Sequence, residues 1–243
     1  MTAPQKVNTD TCLIIAAGMG TRVSHLIDSK PLLAVHGEAL IERVILAART
    51  AGIEHFVVVS GYNGDKLRKH LDDFALREQL HVRHIANEEY RRPNGISVYK
   101  AADYLRAPFF LLMADHLFDP SIMRDMNQAA LPKDGLLLAV DYTLNNPNVD
   151  LDDVTKVAVD NGAIKAIDKK LTAYNGYDTG IFLCTTALFG ALKESIDAGD
   201  ESLSGGVRKL GQRGLAQAFD IRGRLWIDVD DEAAYRKATQ AFS

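Results

Sequence analysis

Short apolar runs alternate with helically spaced apolar residues through the first half of the chain. Leu13–Ala16 is a run of four and reads as a short buried strand. Leu40, Ile41, Val44, Ile45 and Ala48 recur at helical spacing within residues 38–52, with Gly52 as a stop. His55–Ser60 is a second apolar strand, Gly61–Asp65 make a turn, and a charged helix runs to about residue 77. Residues 81–86 predict a third strand, 98–105 a helix, and Phe109–Met113 a fourth strand. This alternation predicts an α/β fold with a parallel sheet and right-handed crossovers. Such sheets bind ligands beyond the carboxyl ends of their strands. The Gly18–Gly20 turn, the segment Asn87–Asn94 and Asp115 all fall there.

After residue 115 the pattern changes. Residues 135–141 read as a strand. Val154–Val159 and Ala163–Asp168 read as a β-hairpin around Asp160-Asn161-Gly162, a turn chemistry that favours positive φ. Tyr177–Cys184 is another strand. Helices are expected at about 185–197 and 203–211, a strand near 216–221, an extended segment at Leu225–Val229 and a last helix from about 231. With no Gly/Ser or Pro-rich linker, no low-complexity segment and no repeat, the expected organisation is one domain over residues 1–243. Its nucleotide-binding half covers about 1–115 and its acceptor-binding half about 116–243, the later strands completing the sheet and forming a lid or pocket.

Composition narrows the classes. The chain of 243 residues is 47% hydrophobic and 25% charged with a formal net charge of −4, so a sizeable core is expected and no global basic field exists for nucleic acid. The N-terminal stretch lacks the apolar core of a signal peptide, and no run approaches the roughly 18 apolar residues that span a bilayer. Two cysteines, Cys12 and Cys184, sit in apolar runs and read as buried free thiols in a reducing compartment, so a cytoplasmic protein without membrane insertion is expected.

The candidate chemistry gathers around residues 12–36. A strand opens into Ala16-Ala17-Gly18-Met19-Gly20-Thr21-Arg22, presenting backbone N–H groups that suit a phosphate. Arg22 and Lys30 add cations, which together point to a polyphosphate. The turn is neither a Walker A loop nor the dinucleotide fingerprint, whose third glycine would fall at Val23. Asp115 emerges at a strand end, and Asp228 and Asp230 share one face of an extended segment. Carboxylates converging on a polyphosphate loop make a Mg²⁺ site, with Asp228 favoured over Asp230. Asp231 reads as a helix N-cap. Asn94, Gly95 and Ser97 open a helix that reads either as a base or ribose contact or as a plain cap. Lys156 and Lys169 (or Lys170) suit an acceptor phosphate or a solvated face. Asp178 and Thr179 could meet polyol hydroxyls or satisfy backbone amides, and His116 a ligand or backbone. No zinc-type His/Cys spacing or G-x-S-x-G elbow occurs.

The signature loop, with Ser29-Lys30-Pro31-Leu32, resembles that of the sugar-phosphate nucleotidylyltransferases. Asn94-Gly95-x-Ser97, Asp115-His116, Thr155-Lys156-Val157, Ile167-x-Lys169-x-Leu171, Tyr177-Asp178-Thr179-Gly180, Ser202-Leu203-Ser204-x-Gly206-Val207-Arg208 and Trp226-Ile227-Asp228-Val229-Asp230 extend the likeness. Together they resemble the CTP:inositol-1-phosphate cytidylyltransferase branch, with phosphocholine cytidylyltransferases as near neighbours. The resemblance implies a Rossmann-like, mainly parallel sheet and Mg²⁺-dependent transfer of CMP from CTP to a polyol (inositol-like) or amino-alcohol phosphate. It implies that Arg22 and Lys30 neutralise the triphosphate, that Asp115 and Asp228 hold magnesium, and that Lys169 or Lys156 steadies the acceptor phosphate. Base and ribose would lie against Ala17, Gly18, Asn94 and Ser97. The branch is often fused to a membrane-embedded phosphotransferase, and no segment hydrophobic enough follows here. Asp168, where Gly is common, and Asn175-Gly176 depart from the pattern in the acceptor half. The alternatives are a uridylyl- or guanylyl-transferase for a sugar 1-phosphate and a nucleotide-sensing pseudoenzyme. The expected partners are a nucleoside triphosphate and a small phosphorylated acceptor, with a homodimer left open.

Overall fold

Residues 11–16 show why a sheet forms with helices on both sides. Cys12, Ile14 and Ala16 pack into one apolar cluster, while Leu13 and Ile15 pack into another on the opposite face. That period of two is the strand signature, and a strand apolar on both faces must be covered twice. The computed structural model describes residues 5–242; the first four residues, part of the stretch read above as lacking a leader's apolar core, lie outside them.

Nine strands form the main sheet. They are β1 (Thr11–Ala16), β2 (His55–Ser60), β3 (His81–Ala86), β4 (Phe109–Met113), β5 (Leu136–Asp141), β6 (Lys156–Asp160), β7 (Ala163–Asp168), β8 (Gly176–Cys184) and β9 (Ala216–Asp220). Their spatial order is β5-β9-β7-β6-β8-β4-β1-β2-β3. The first-half strands β3, β2, β1 and β4 run parallel, as the strand–helix alternation predicts. The second half is antiparallel apart from β5 beside β9. Because β8 also pairs with β5, the five later strands close on themselves, so the sheet as a whole is mixed.

Helices α1 (Leu40–Thr50), α2 (Gly64–Glu78), α4 (Ser121–Met126) and α7 (Glu232–Ala241) cover one face. Helices α3 (Asn94–Tyr99), α5 (Ala187–Asp197) and α6 (Leu203–Gln212) cover the other. The chain places them by ordinary means. In α2, Leu67, Leu71 and Phe74 are buried at i, i+4 and i+7. Asp231 caps α7 by accepting from the Ala234 N–H, as its position predicts, and Ser202 caps α6 through the Gly205 N–H. The helix expected at 98–105 instead ends at Tyr99, having begun at Asn94 directly after Pro93. Successive turns still bury Ala101 and Leu105, so the burial pattern outlasts the helix that suggested it.

Two features were outside the sequence pattern. His116–Phe118 pairs antiparallel with Trp226–Asp228, setting Asp228 directly opposite His116. Strand β8 bulges where the register against β5 shifts between Leu138 and Val140. Gly180, at φ 76°, takes up the bulge in a conformation other residues rarely adopt.

Candidate active site

The carboxyl ends of β1 and β4 open onto a cavity of about 240 Å³ lined by Ala16, Gly18, Gly20, Thr21, Arg22, Lys30, Asp115 and Asp230. Gly20 sits at φ 58°, and a β-carbon there would collide with the Lys30 side chain. At Gly18 a β-carbon would meet nothing within 4 Å. Gly20 is thus demanded by the backbone, whereas Gly18 leaves room above the turn for something to approach closely. Ala17 and Met19 do not line the cavity: Ala17 is buried with its carbonyl accepting from the Tyr62 N–H, and Met19 is 37% exposed.

Lys30 is buried beneath this cavity, 6% exposed. It pairs with Asp115 at 2.5 Å and with Asp230. Burial pulls its pKa down, but Asp115 and then Asp230 outweigh this and hold it above the usual lysine value. Arg22 reaches both Asp230 and Asp153.

A second cavity, about 440 Å³, adjoins the first through Asp230. Its walls include Asn94, His116, Lys169, Asp178, Trp226 and Asp228. Trp226 donates its indole N–H to buried Asp141, which also accepts from Asn146 and the Thr143 N–H. Asp178 accepts from the Gly180 N–H, and burial pushes its pKa up to about 6. His116 binds the Thr179 carbonyl through Nδ1 at 2.8 Å and faces Asp228 through Nε2 at 3.3 Å. Burial opposes its charge, yet Asp228, Asp115 and the Thr179 carbonyl raise its pKa to about 10. Lys169 lies in this wall and pairs with Asp153 at 2.6 Å.

Four of the residues expected to contact substrate have partners within the fold. Thr179 is fully buried, and its hydroxyl donates to the Ala139 carbonyl, because strand alternation sets it on the face of Tyr177, Ile181 and Leu183, opposite Asp178. Lys156 donates to the carbonyls of Leu151 and Lys169 and so ties the hairpin base together. Ser97 is buried against Asn87, whose amide donates to its hydroxyl. Gly95 is pressed on the backbone of Glu201 and Ser202, where a β-carbon would collide. Asn94 does line the second cavity, its Oδ1 accepting from the Leu203 N–H. The sequence reading missed Asp153, Trp226 and Asp141 as site-building residues. Asp153 belongs to the acidic run Asp150-Leu151-Asp152-Asp153, but in an irregular segment no periodicity says where a side chain points.

The donor set can take a divalent cation. Asp228 Oδ1 is buried without a hydrogen-bond partner. Asp115, His116 and Asp228 can bring ligand atoms within 4.8 Å of one another, as can Asp153, Asp228 and Asp230. Carboxylate oxygens suit a hard cation such as magnesium. His116 is already engaged through both nitrogens, which leaves the carboxylates as donors.

Comparisons with known proteins identify the family. The chain is 33% identical over 221 residues to the bifunctional IPC transferase and DIPP synthase of Rubrobacter xylanophilus, covering 89% of this chain and 48% of that protein. It is 38% identical over 120 residues to a 2-aminoethylphosphonate cytidylyltransferase of Lancefieldella rimae, covering 44% of this chain and 46% of that one. The chain spans about half the length of these relatives. The inositol-1-phosphate CTP transferase of T. maritima shares the fold, with a TM-score of 0.82 at 24% identity over 98% of both chains. Residues 12–161, which hold the signature loop, Lys30, Asp115 and Asp153, match the MobA-like NTP transferase domain, and the chain belongs to that family.

Proposed function

We propose that the chain is a cytidylyltransferase that transfers CMP from CTP to a phosphorylated polyol and releases pyrophosphate. The observation that carries this reading is the pair of adjoining cavities sharing Asp230, one floored by cations at a glycine turn, the other walled by polar groups that include Asn94, Asp178 and Lys169. In this reading the triphosphate lies against the Gly18–Gly20 turn with Arg22 and Lys30 around it. The acceptor phosphate lies near Lys169. One of its oxygens attacks the α-phosphorus in line, forming the new P–O bond as the bond to the β-phosphate breaks. A phosphate anion is already a nucleophile, so positioning and charge neutralisation supply the catalysis. Asp228 with Asp115 would hold a divalent cation, magnesium, which when bound neutralises phosphate oxygens. Asp178, in the wall of the second cavity, can accept from hydroxyls, which fits a polyol. The cytidylyltransferase names of relatives favour CTP.

The test is pyrophosphate release from each of the four ribonucleoside triphosphates against phosphorylated polyols, sugars and amino alcohols, with and without magnesium. Release is expected with CTP, a polyol phosphate and magnesium together. No release with any pair would remove the enzyme reading, and release only with UTP or GTP would move the base.

The two glycines separate fold from binding. Gly18→Ala is expected to change stability by less than about 0.5 kcal/mol, as for a substitution into open space, and to raise the KM for CTP roughly tenfold by filling the approach above the turn. Gly20→Ala is expected to destabilise by roughly 1–3 kcal/mol through its left-handed backbone and the Lys30 contact. Equal thermal shifts for the two variants would show that Gly18 is structural.

A further inference from the structure

Asp153 sits where its chemistry is otherwise unexplained. One oxygen, Oδ2, accepts from Arg22 at 2.9 Å and the other, Oδ1, from Lys169 at 2.6 Å. Those cations come from the signature loop and from the end of β7, in different halves of the chain. A carboxylate with each oxygen on a separate cation has the same anionic, two-oxygen face as a phosphate. Beyond Arg22 the charges keep alternating through Asp230, Lys30 and Asp115. Asp153 therefore occupies the place where Arg22 of the first cavity and Lys169 of the second meet.

We infer that Asp153 is an internal stand-in for the acceptor's phosphate group: it holds Arg22 and Lys169 in position and must yield its place when a phosphorylated acceptor binds. The inference rests on the assignment of Lys169 to the acceptor phosphate. Exposure supports an exchangeable contact. Arg22 and Lys169 are 47% and 55% exposed in their side chains, and such pairs are held weakly. The flanking segment is anchored elsewhere. Asn146 is bound to Asp141, the Pro147 carbonyl to Lys237, and the Leu151 carbonyl to Lys156. Turning the Asp153 side chain alone vacates the position, and the nearby carboxylates Asp228 and Asp230 favour its departure once Arg22 is taken by another anion. Asp153 is thus a positioning residue that competes with the acceptor's anion and selects for one able to span both cations.

Calorimetric binding to the 243-residue chain tests this without turnover. The probes are inorganic phosphate and inositol 1-phosphate, each with and without a CTP analogue whose α–β bridge cannot be cleaved. Asp153→Asn is expected to bind inorganic phosphate about two- to fivefold more tightly than wild type in the absence of nucleotide, the scale of one half-exposed ion pair. Asp153→Glu should return to weak binding, and Lys169→Met in the Asp153→Asn background should abolish the gain. Unchanged or weaker phosphate binding by Asp153→Asn would overturn the inference, as would a gain that survives Lys169→Met. If wild type fails to bind the CTP analogue, the cytidylyltransferase reading falls instead, and the phosphate arm still reports on Asp153.

Discussion

Asp228→Asn is expected to lower kcat roughly a thousandfold, the scale on which removing a charge-stabilising group from a transfer site acts, while the melting temperature of the unliganded protein holds or rises. The two halves of this expectation share a cause. Burial raises the Asp228 pKa, His116 only partly offsets it, and Asp115 and Asp230 add repulsion. Ionising Asp228 therefore costs the folded protein, and asparagine removes that cost while its amide can still hydrogen-bond His116 Nε2 as acceptor or donor. The residue is held against stability, as functional groups commonly are. Its unpartnered Oδ1 is the donor most free to take a cation. A direct readout is Mn²⁺ binding followed by electron paramagnetic resonance on the unliganded chain, where the variant should lose the bound-ion signal. A variant that keeps near-normal turnover, or one that loses turnover only because it melts early, would remove Asp228 from the cation site.

How much of this was legible beforehand depends on the element. The placement of Asp115 followed from arithmetic: Phe109–Met113 is an apolar run, and the next polar residue after Ala114 must emerge at the strand's end. Alternation put Asp228 on one face of an extended segment with Asp230, although the pairing of Trp226–Asp228 with His116–Phe118 that secures it carries too short a pattern to read. Thr179 shows the opposite case. Alternation sets it on the face opposite Asp178, with Tyr177, Ile181 and Leu183, so its hydroxyl turns inward to the Ala139 carbonyl. Lys156 and Lys169 looked equivalent in a hairpin. The register, with Lys156 opposite Asp168, puts the Lys156 ammonium against carbonyls and leaves Lys169 facing the cavity. Asp153 was invisible because the two cations it joins lie 131 and 16 residues away, a relation that only the closed sheet creates.

Lys30→Met is expected to damage both stability and turnover, and that joint loss sets it apart from Asp228→Asn. Lys30 is the buried member of the charge array, with its Cβ against Gly20 and its ammonium between Asp115 and Asp230. Removing one partner of such a cluster strands the others. Breaking a buried ion pair from one side costs about 3 kcal/mol at the lower end of the usual range, and the lower end suits carboxylates still 27% and 25% exposed. For a chain of this size that corresponds to a fall of roughly 6–12 °C in melting temperature. The loss of the cation facing the triphosphate should cut kcat/KM by about 100-fold or more. The double variant Lys30→Met/Asp230→Asn separates the two effects. Removing one stranded carboxylate should restore part of the melting temperature, because the sites are in contact and couple. It should restore no turnover, because no charge is returned to the phosphate cavity. Recovery of activity along with stability would mean that Lys30 serves the fold alone, and that the cation beneath the Gly18–Gly20 turn is there to neutralise carboxylates rather than phosphates.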